Sequence, residues 1–310
     1  MTSRSSTTSV SVVVTCYNQA RFLGEAIESV LRQTCPPREV IVVDDGSQDD
    51  TAEVIKRYGE IRYIPQANQG VVAARNNGWR ETTSDYVVFL DGDDRLAADA
   101  LEVGSKSLNA NPTCGFAFGR SHLIAADGTA LTQTSPVCTE ENFYAALLRR
   151  NEIWMPAQVI YRRAVLEAVG GFDATFDHGS DYELYLRITQ KYTAFAHNKL
   201  VAEWRQHDAN TTRDAVRMLK AATCVHRAQA SFVSAHKQYE QAYREGTREI
   251  QDYFGERVIA DMRAQMHSRN NRKQAAKAAL VLLRYCPALL SKHIRRKLYC
   301  TLFRIEDATN

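Results

Sequence analysis

Tyr86-Val87-Val88-Phe89-Leu90-Asp91-Gly92-Asp93-Asp94 sets five apolar residues directly before a cluster of three carboxylates. A short β-branched and aromatic run that ends in a turn signal predicts a strand buried on both faces. In open α/β sheets, ligands sit just beyond the C-terminal ends of the strands. Two carboxylates one residue apart at that place, Asp91 and Asp93, suit a hard cation such as Mg2+ or Mn2+. Such an ion takes few protein oxygens and completes its shell with water and phosphate oxygens. A solvated acidic turn is the plainer alternative, because Asp and Gly are common in turns. An EF-hand is disfavoured, since Asp91-Gly92-Asp93 lacks the ligand ladder with glycine at its sixth position.

Upstream of this stretch, short β-rich runs alternate with helical patterns, which predicts stacked βαβ units and a mainly parallel sheet. Strands are expected at Val10 to Thr15, Glu39 to Asp44 and Ile61 to Ile64. The first helix is expected from Ala20 to Gln33, where Phe22, Leu23, Ala26, Ile27, Val30 and Leu31 recur at helical spacing before Pro36-Pro37. The second runs through Tyr58 with Gly59 as its cap, and the third from Gly70 to Glu81. Downstream, a helix is expected near Ala98 to Asn109, strands near Gly115 to Ile124, a turn at Asp127-Gly128 and a helix near Glu140 to Arg149. An amphipathic helix at Asp181 to Tyr192 precedes a strand at Leu200 to Arg205, and nearly everything past Thr212 is helical in pattern.

The other strand-end segments are Thr15-Cys16-Tyr17-Asn18 and Asp44-Asp45-Gly46-Ser47. No G-x-G-x-x-G follows the first strand and no G-x-x-x-x-G-K-[ST] occurs, so neither a dinucleotide-binding Rossmann site nor a P-loop is supported. The aspartates of the second segment have two readings. They form a helix-entry turn, or they recognise a base, because a carboxylate accepts the hydrogen bond that a pyrimidine imide donates. Tyr17 would then stack on that base.

The 310 residues are 45% hydrophobic and 24% charged, an ordinary globular composition. Seven scattered cysteines without a C-x-x-C pair argue against a disulfide framework and a zinc site, and favour a reducing compartment. A Ser/Thr-rich start followed by the brief run Val10 to Val14 is too short for a signal segment. No stretch reaches the ~18 apolar residues of a membrane span. A cytoplasmic location is expected. Charge divides unevenly: residues 1–212 hold 20 Lys/Arg against 27 Asp/Glu, and residues 213–310 hold 19 against 9. Two regions with different partners are implied.

Taken together, Val10 to Asn18, Glu39 to Ser47, Asn68-Gln69-Gly70 with Ala74-Arg75-Asn76, and Phe89 to Asp94 resemble glycosyltransferase family 2. The likeness continues through Gly170-Gly171-Phe172-Asp173 and Ser180-Asp181-Tyr182-Glu183, about two thirds of the chain. The resemblance implies an α/β fold of GT-A type, an inverting mechanism and a metal-bound nucleotide-diphosphate sugar, with UDP as the nucleotide. By the same resemblance, Thr15, Tyr17 and Asp45 match nucleoside-binding positions, and Arg75, Asp91 and Gly92 lie where the donor approaches. Asp91 and Asp93 match the first and last residues of the D-x-D motif and are the implied metal residues, Asp93 being favoured over Asp91 for direct metal contact. His207, in Trp204-Arg205-Gln206-His207, matches a position where a histidine reaches the metal or diphosphate. Asp181 matches the general base, although the acidic residue that usually precedes it is Ser180 here.

Inversion needs a carboxylate on the acceptor side to take the hydroxyl proton while the diphosphate leaves from the opposite face. The plainer role for Asp181 is a helix-start carboxylate stabilised by the macrodipole. A lone histidine such as His207 is often a surface or core residue, and Trp154 and Met155 read as core packing before acceptor contacts. The domain expectation is a catalytic region over 1–212, with a donor half to about 95 and an acceptor half after it, then a basic helical extension over 213–310. That extension has no acidic residue between Asp261 and Glu306, yet carries Arg269, Arg272, Lys273, Lys277, Arg284, Lys292, Arg295, Arg296, Lys297 and Arg304. It reads either as an anionic-membrane surface element, serving a saccharide or lipid-linked glycan acceptor, or as a packed cap. Nucleic acid is disfavoured, because no binding motif accompanies the charge. Two other classes stand beside the transferase: a catalytically silent scaffold of the same fold, and a metal-dependent nucleotidyltransferase. Sugar, linkage and oligomeric state are left open.

Overall fold

The computed structural model of the chain describes residues 8–136, 140, 142–266 and 272–303, without the side chains of 265, 266, 272 and 297–303. Cys138, Arg269 and Arg304 therefore lie outside the described residues, as do the side chains of Arg272, Lys297 and Cys300. The chain divides into two compact units. One takes in the chain up to Leu147 and Asn151–Ala209, and the other Leu148–Arg150 and everything from Asn210.

The first unit opens with β1 (Val10–Cys16), α1 (Ala20–Leu31), β2 (Glu39–Asp44), α2 (Thr51–Ile55), β3 (Arg62–Pro65), α3 (Val71–Arg80) and β4 (Tyr86–Asp91). It continues with β5 (Arg95–Leu96), α4 (Ala100–Ala110), β6 (Cys114–Ala125), β7 (Ala130–Thr134), α5 (Phe143–Arg149), β8 (Val159–Arg162), α6 (Arg163–Val169), α7 (Ser180–Thr189) and β9 (Thr193–Gln206). Among the described residues these strands form one sheet in the order β3-β2-β1-β4-β8-β6-β9-β5, with β7 on β6. The β3-β2-β1-β4 half is parallel, whereas β8 runs antiparallel between β4 and β6.

Every residue of β1 is buried, as a central parallel strand covered on both faces must be. Val10, Val12, Val14 and Cys16 pack with Leu23, Ile27 and Val30 of α1 and with Leu101 and Leu108 of α4. On the other face Phe89 meets the rings of Phe172 and Tyr161 at 4.9 and 5.7 Å. The C-terminal ends of β1, β2 and β4 thereby emerge along one edge, with Thr15 opposite Asp91 and Cys16 opposite Asp44.

Several elements depart from the sequence reading. Helix α1 ends at Leu31, not Gln33: the backbone leaves the helical ladder, with Thr34 N donating to Ala98 O at 2.8 Å, while the Gln33 side chain donates to Ala97 O at 2.6 Å and accepts from Leu101 N at 3.0 Å. Helix α2 stops at Ile55, and Gly59 does not take the left-handed conformation of a cap. Strand β9 runs fourteen residues, far beyond the expected Leu200 to Arg205, because it pairs with most of β6. Strands β7 and β8 and helix α6 had no counterpart in the sequence reading.

The second unit consists of α8 (Ala215–Ala228), α9 (Ala230–Ala235), α10 (Glu240–Met266), α11 (Arg272–Tyr285) and α12 (Pro287–Phe303). Its core gathers Leu219, Val258, Ile259, Leu282 and Leu289 from α8, α10, α11 and α12. His226 stacks on Tyr243 at 4.3 Å, with Nε2 3.1 Å from Leu148 O, and burial pulls its pKa down to about 4. It is a neutral packing histidine. Among the described residues no helix is long and apolar enough to cross a membrane.

Candidate active site

The β1 and β2 loops are tied to each other before any ligand is considered. Asn18, at φ 52°, accepts from Gln48 N at 2.8 Å through Oδ1, and its own N–H donates to Ser47 Oγ at 2.8 Å. Asn is among the few residues that tolerate this conformation. Asp45 is buried and already holds the segment between β3 and α3: Oδ1 accepts from Gln66 Nε2 and Gln69 N, and Oδ2 from Gly70 N, each at 2.8 Å. A carboxylate has about four acceptor sites, so one on Oδ2 remains for a ligand donor. Neighbouring Asp44 accepts from Tyr63 OH at 2.9 Å, which helps burial push that phenol up to about 12. Tyr17 is 47% exposed beside this edge.

The acidic loop after β4 is held as tightly. Gly92 N donates to Thr15 O at 2.9 Å, and a Cβ at Gly92 would come within 2.9 Å of Cys16 Cβ. Only glycine fits there without displacing β1. Thr15 Oγ1 donates to Asp91 Oδ1 at 3.2 Å. Both oxygens of Asp91 also accept from Arg75 Nη2, at 2.7 and 3.1 Å. Asp91 therefore faces the guanidinium.

Arg75 itself is buried, with its guanidinium 5.6 Å from the Phe172 ring centre. Burial works against its charge, yet Asp91 and Asp181 together lift its pKa above the ordinary arginine value. Its Nε has no hydrogen-bond partner although buried, a donor left for something else to satisfy. The next residue, Asn76, donates to Phe172 O at 2.8 Å and accepts from Phe172 N at 3.0 Å and Trp79 Nε1 at 2.9 Å. At Gly171, φ is 74° and a Cβ would stand 2.6 Å from Asn76 Oδ1. The segments Ala74-Arg75-Asn76 and Gly170-Gly171-Phe172 are thus two halves of one joint that supports Arg75.

Asp181 enters from the start of α7, after Gly179 at φ 80°, and its Oδ1 accepts from Tyr182 N at 2.8 Å. Burial raises its pKa above the usual carboxylate value, Arg75 opposes that rise, and Asp91 adds to it. A carboxylate tuned upward is a stronger base when ionised. Arg75, Asp91 and Asp181 thus form one electrostatic group.

Asp93 and His207 form a second group, with His207 Nε2 2.8 Å from Asp93 Oδ2 and both side chains nearly buried. Two donors in adjacent positions of an octahedral ion with bonds of ~2.1 Å lie about 3 Å apart, so this pair fits Mg2+ or Mn2+. Among the described residues no cluster of three His, Cys, Asp or Glu is set to hold a metal. An ion held by this pair would take two protein donors and would leave its remaining positions to water and phosphate oxygens.

Sequence reasoning passed over Arg205. It is 0% exposed, and its Nε donates to Asp93 O at 2.8 Å, its Nη1 to Ala126 O at 3.1 Å and its Nη2 to Glu25 Oε2 at 2.7 Å. Its backbone N–H donates to Asp94 Oδ1 at 2.8 Å. Burial pushes the pKa of Asp94 well up, with Asp93 and Asp91 adding to the effect and Arg205 opposing it. The only advance signal was a cation two residues before His207 on a strand. Removing the guanidinium leaves the carbonyls of Asp93 and Ala126 without this donor, at about 1–3 kcal/mol for each buried unmet acceptor, so Arg205→Met is expected to cost about 3 kcal/mol, read by urea denaturation. An unchanged midpoint would show that the acidic loop holds itself. Of the two residues considered for the acceptor side, Met155 is buried in the core, and half-buried Trp154 stands edge-on to Trp204 at 6.3 Å.

Comparison with known proteins matches this architecture. The 1–349 segment of S. aureus TarS, in its complex with UDP-GlcNAc, superposes with a TM-score of 0.65 over 89% of this chain and 81% of that one, at 16% identity. The fold is therefore the GT-A α/β fold expected above. An uncharacterised glycosyltransferase of Rickettsia felis is 41% identical over 107 residues, 34% of this chain and 18% of that protein. Chondroitin synthase of Escherichia coli is 26% identical over 210 residues, 66% of this chain and 30% of that enzyme. The chain thus spans less than a third of either relative. The pattern of glycosyl transferase family 2 matches residues 11–170, just over half of the chain and all of the β1, β2 and β4 loops that carry Thr15, Asp45 and Asp93; the chain belongs to that family.

Proposed function

We propose that the chain is a metal-dependent inverting glycosyltransferase, moving a sugar from a UDP-sugar to a hydroxyl of a glycan or lipid-linked saccharide. The observation that carries this reading is the Arg75, Asp91 and Asp181 group, a buried cation beside a base carboxylate of raised pKa. Asp181 takes the proton of the attacking hydroxyl as its oxygen bonds to the anomeric carbon. The bond from that carbon to the diphosphate oxygen breaks on the opposite face. Such a centre passes through an oxocarbenium-like state. Arg75 faces the diphosphate with its unpaired Nε, Tyr17 stacks on the base, and Asp45 accepts the imide N–H with its remaining Oδ2 site. Asp93 and His207 would hold a divalent ion, which when bound would neutralise charge on the departing diphosphate. Uridine is supported by the TarS structure, which holds UDP-GlcNAc.

A thermal-shift panel of UDP-, GDP- and dTDP-sugars with and without Mn2+ tests the donor. A ligand that binds only the native state at 100 times its Kd adds about 2.7 kcal/mol of stability. The UDP-sugar with Mn2+ is expected to give the largest rise. In turnover, free UDP is the expected product; pyrophosphate would replace this reading with nucleotidyl transfer, and no product with any donor would favour a silent scaffold.

A further inference from the structure

The second unit carries a surface that its own packing does not use. On α11, Ala275, Ala278 and Leu282 are buried against the unit's core. At ~100° per residue the opposite face is an arc of about 120° that holds Lys273, Lys277, Leu280, Leu283 and Arg284. All five are exposed, Leu280 at 66% and Leu283 at 60%. On α12, Ile294 is 51% exposed beside exposed Arg295 and Arg296. From residue 262 to 305 the sequence contains no carboxylate.

A single exposed leucine needs no explanation. Two leucines one turn apart between cations, on a helix whose other side is already packed, make an interfacial pattern. A face of this composition would meet an anionic bilayer through both terms, the leucines entering the headgroup boundary while lysine and arginine stay at the phosphates. A second copy of the same face would bring like charges together, which disfavours self-association. We propose that this face of α11 docks the protein on an anionic lipid surface. The proposal does not rest on the transferase reading, and its test measures binding rather than turnover.

Flotation of the full chain with phosphatidylcholine vesicles, with and without phosphatidylglycerol, tests it. Binding is expected only to the anionic vesicles, and raising salt to about 1 M, where screening shrinks to ~3 Å, should release most of it. At about 1 kcal/mol per basic residue near the surface, Lys273→Gln with Lys277→Gln and Arg284→Gln should weaken binding roughly 100-fold at low salt. Leu280→Ser with Leu283→Ser should also weaken it, with thermal unfolding unchanged because all these side chains are exposed. The proposal is overturned by equal binding to neutral vesicles, by no binding, by full binding of the folded variants, or by concentration-dependent dimerisation that Leu280→Ser abolishes.

Discussion

Asp181→Asn is expected to bind the UDP-sugar with the affinity of the parent protein and to transfer sugar about 10³-fold more slowly. The amide keeps the size of the side chain and an oxygen to accept the Tyr182 N–H, so α7 should start as before. What it loses is the ability to take a proton. Were Asp181 only a helix-start carboxylate, the same change would cost 0.3–1 kcal/mol of stability and leave turnover intact, so the two roles separate in one variant. The pH dependence has a determined sign. The base acts ionised, so kcat/KM falls as pH drops through the Asp181 pKa. Burial has raised that pKa, so the acid limb should lie above the ~3.9 of an unperturbed aspartate. An acid limb at or below that value would remove Asp181 from the role of base.

Asp93→Ala is expected to abolish the Mn2+-dependent part of the donor thermal shift and to slow transfer by about 10²–10³-fold. That is the range seen when one stabilising contact to a developing anion is removed. The variant is interpretable because Arg205 grips the backbone carbonyl of residue 93, not its carboxylate, so the loop keeps that anchor. The carboxylate's Oδ2 lies 2.8 Å from His207 Nε2. Titration calorimetry with Mn2+ checks the ion directly: unchanged uptake and wild-type turnover together would end the two-donor assignment.

Much of the candidate site's strand edge was legible because parallel strands place their chemistry at consecutive C-terminal ends. Once β1, β2 and β4 are read as neighbours, Thr15, Asp45, Asp91 and Asp93 must share an edge, and the register confirms Thr15 opposite Asp91. The part of the sheet that follows residue 95 was harder. Strand β8 has four residues and pairs antiparallel with β4 and β6, strands remote in sequence, so no local turn announced it. The role of Arg205 was hidden for a related reason: a buried arginine is intelligible only through its acceptors, and these come from Glu25, Asp93 and Ala126. Asp91 adds a partner that the D-x-D pattern does not encode: both its oxygens accept from Arg75 on α3.

The joint between Asn76 and Phe172 bears on any attempt to recombine this protein with its relatives. A chimera that grafts a foreign segment behind residue 95 inherits Asn76 and Trp79 from the retained portion, and these leave room for no side chain at position 171. The incoming segment must bring its own glycine there, or the splice will distort the helix turn from which Arg75 projects. Crossover points that keep both sides of that joint from one parent are the ones from which active hybrids should be recovered.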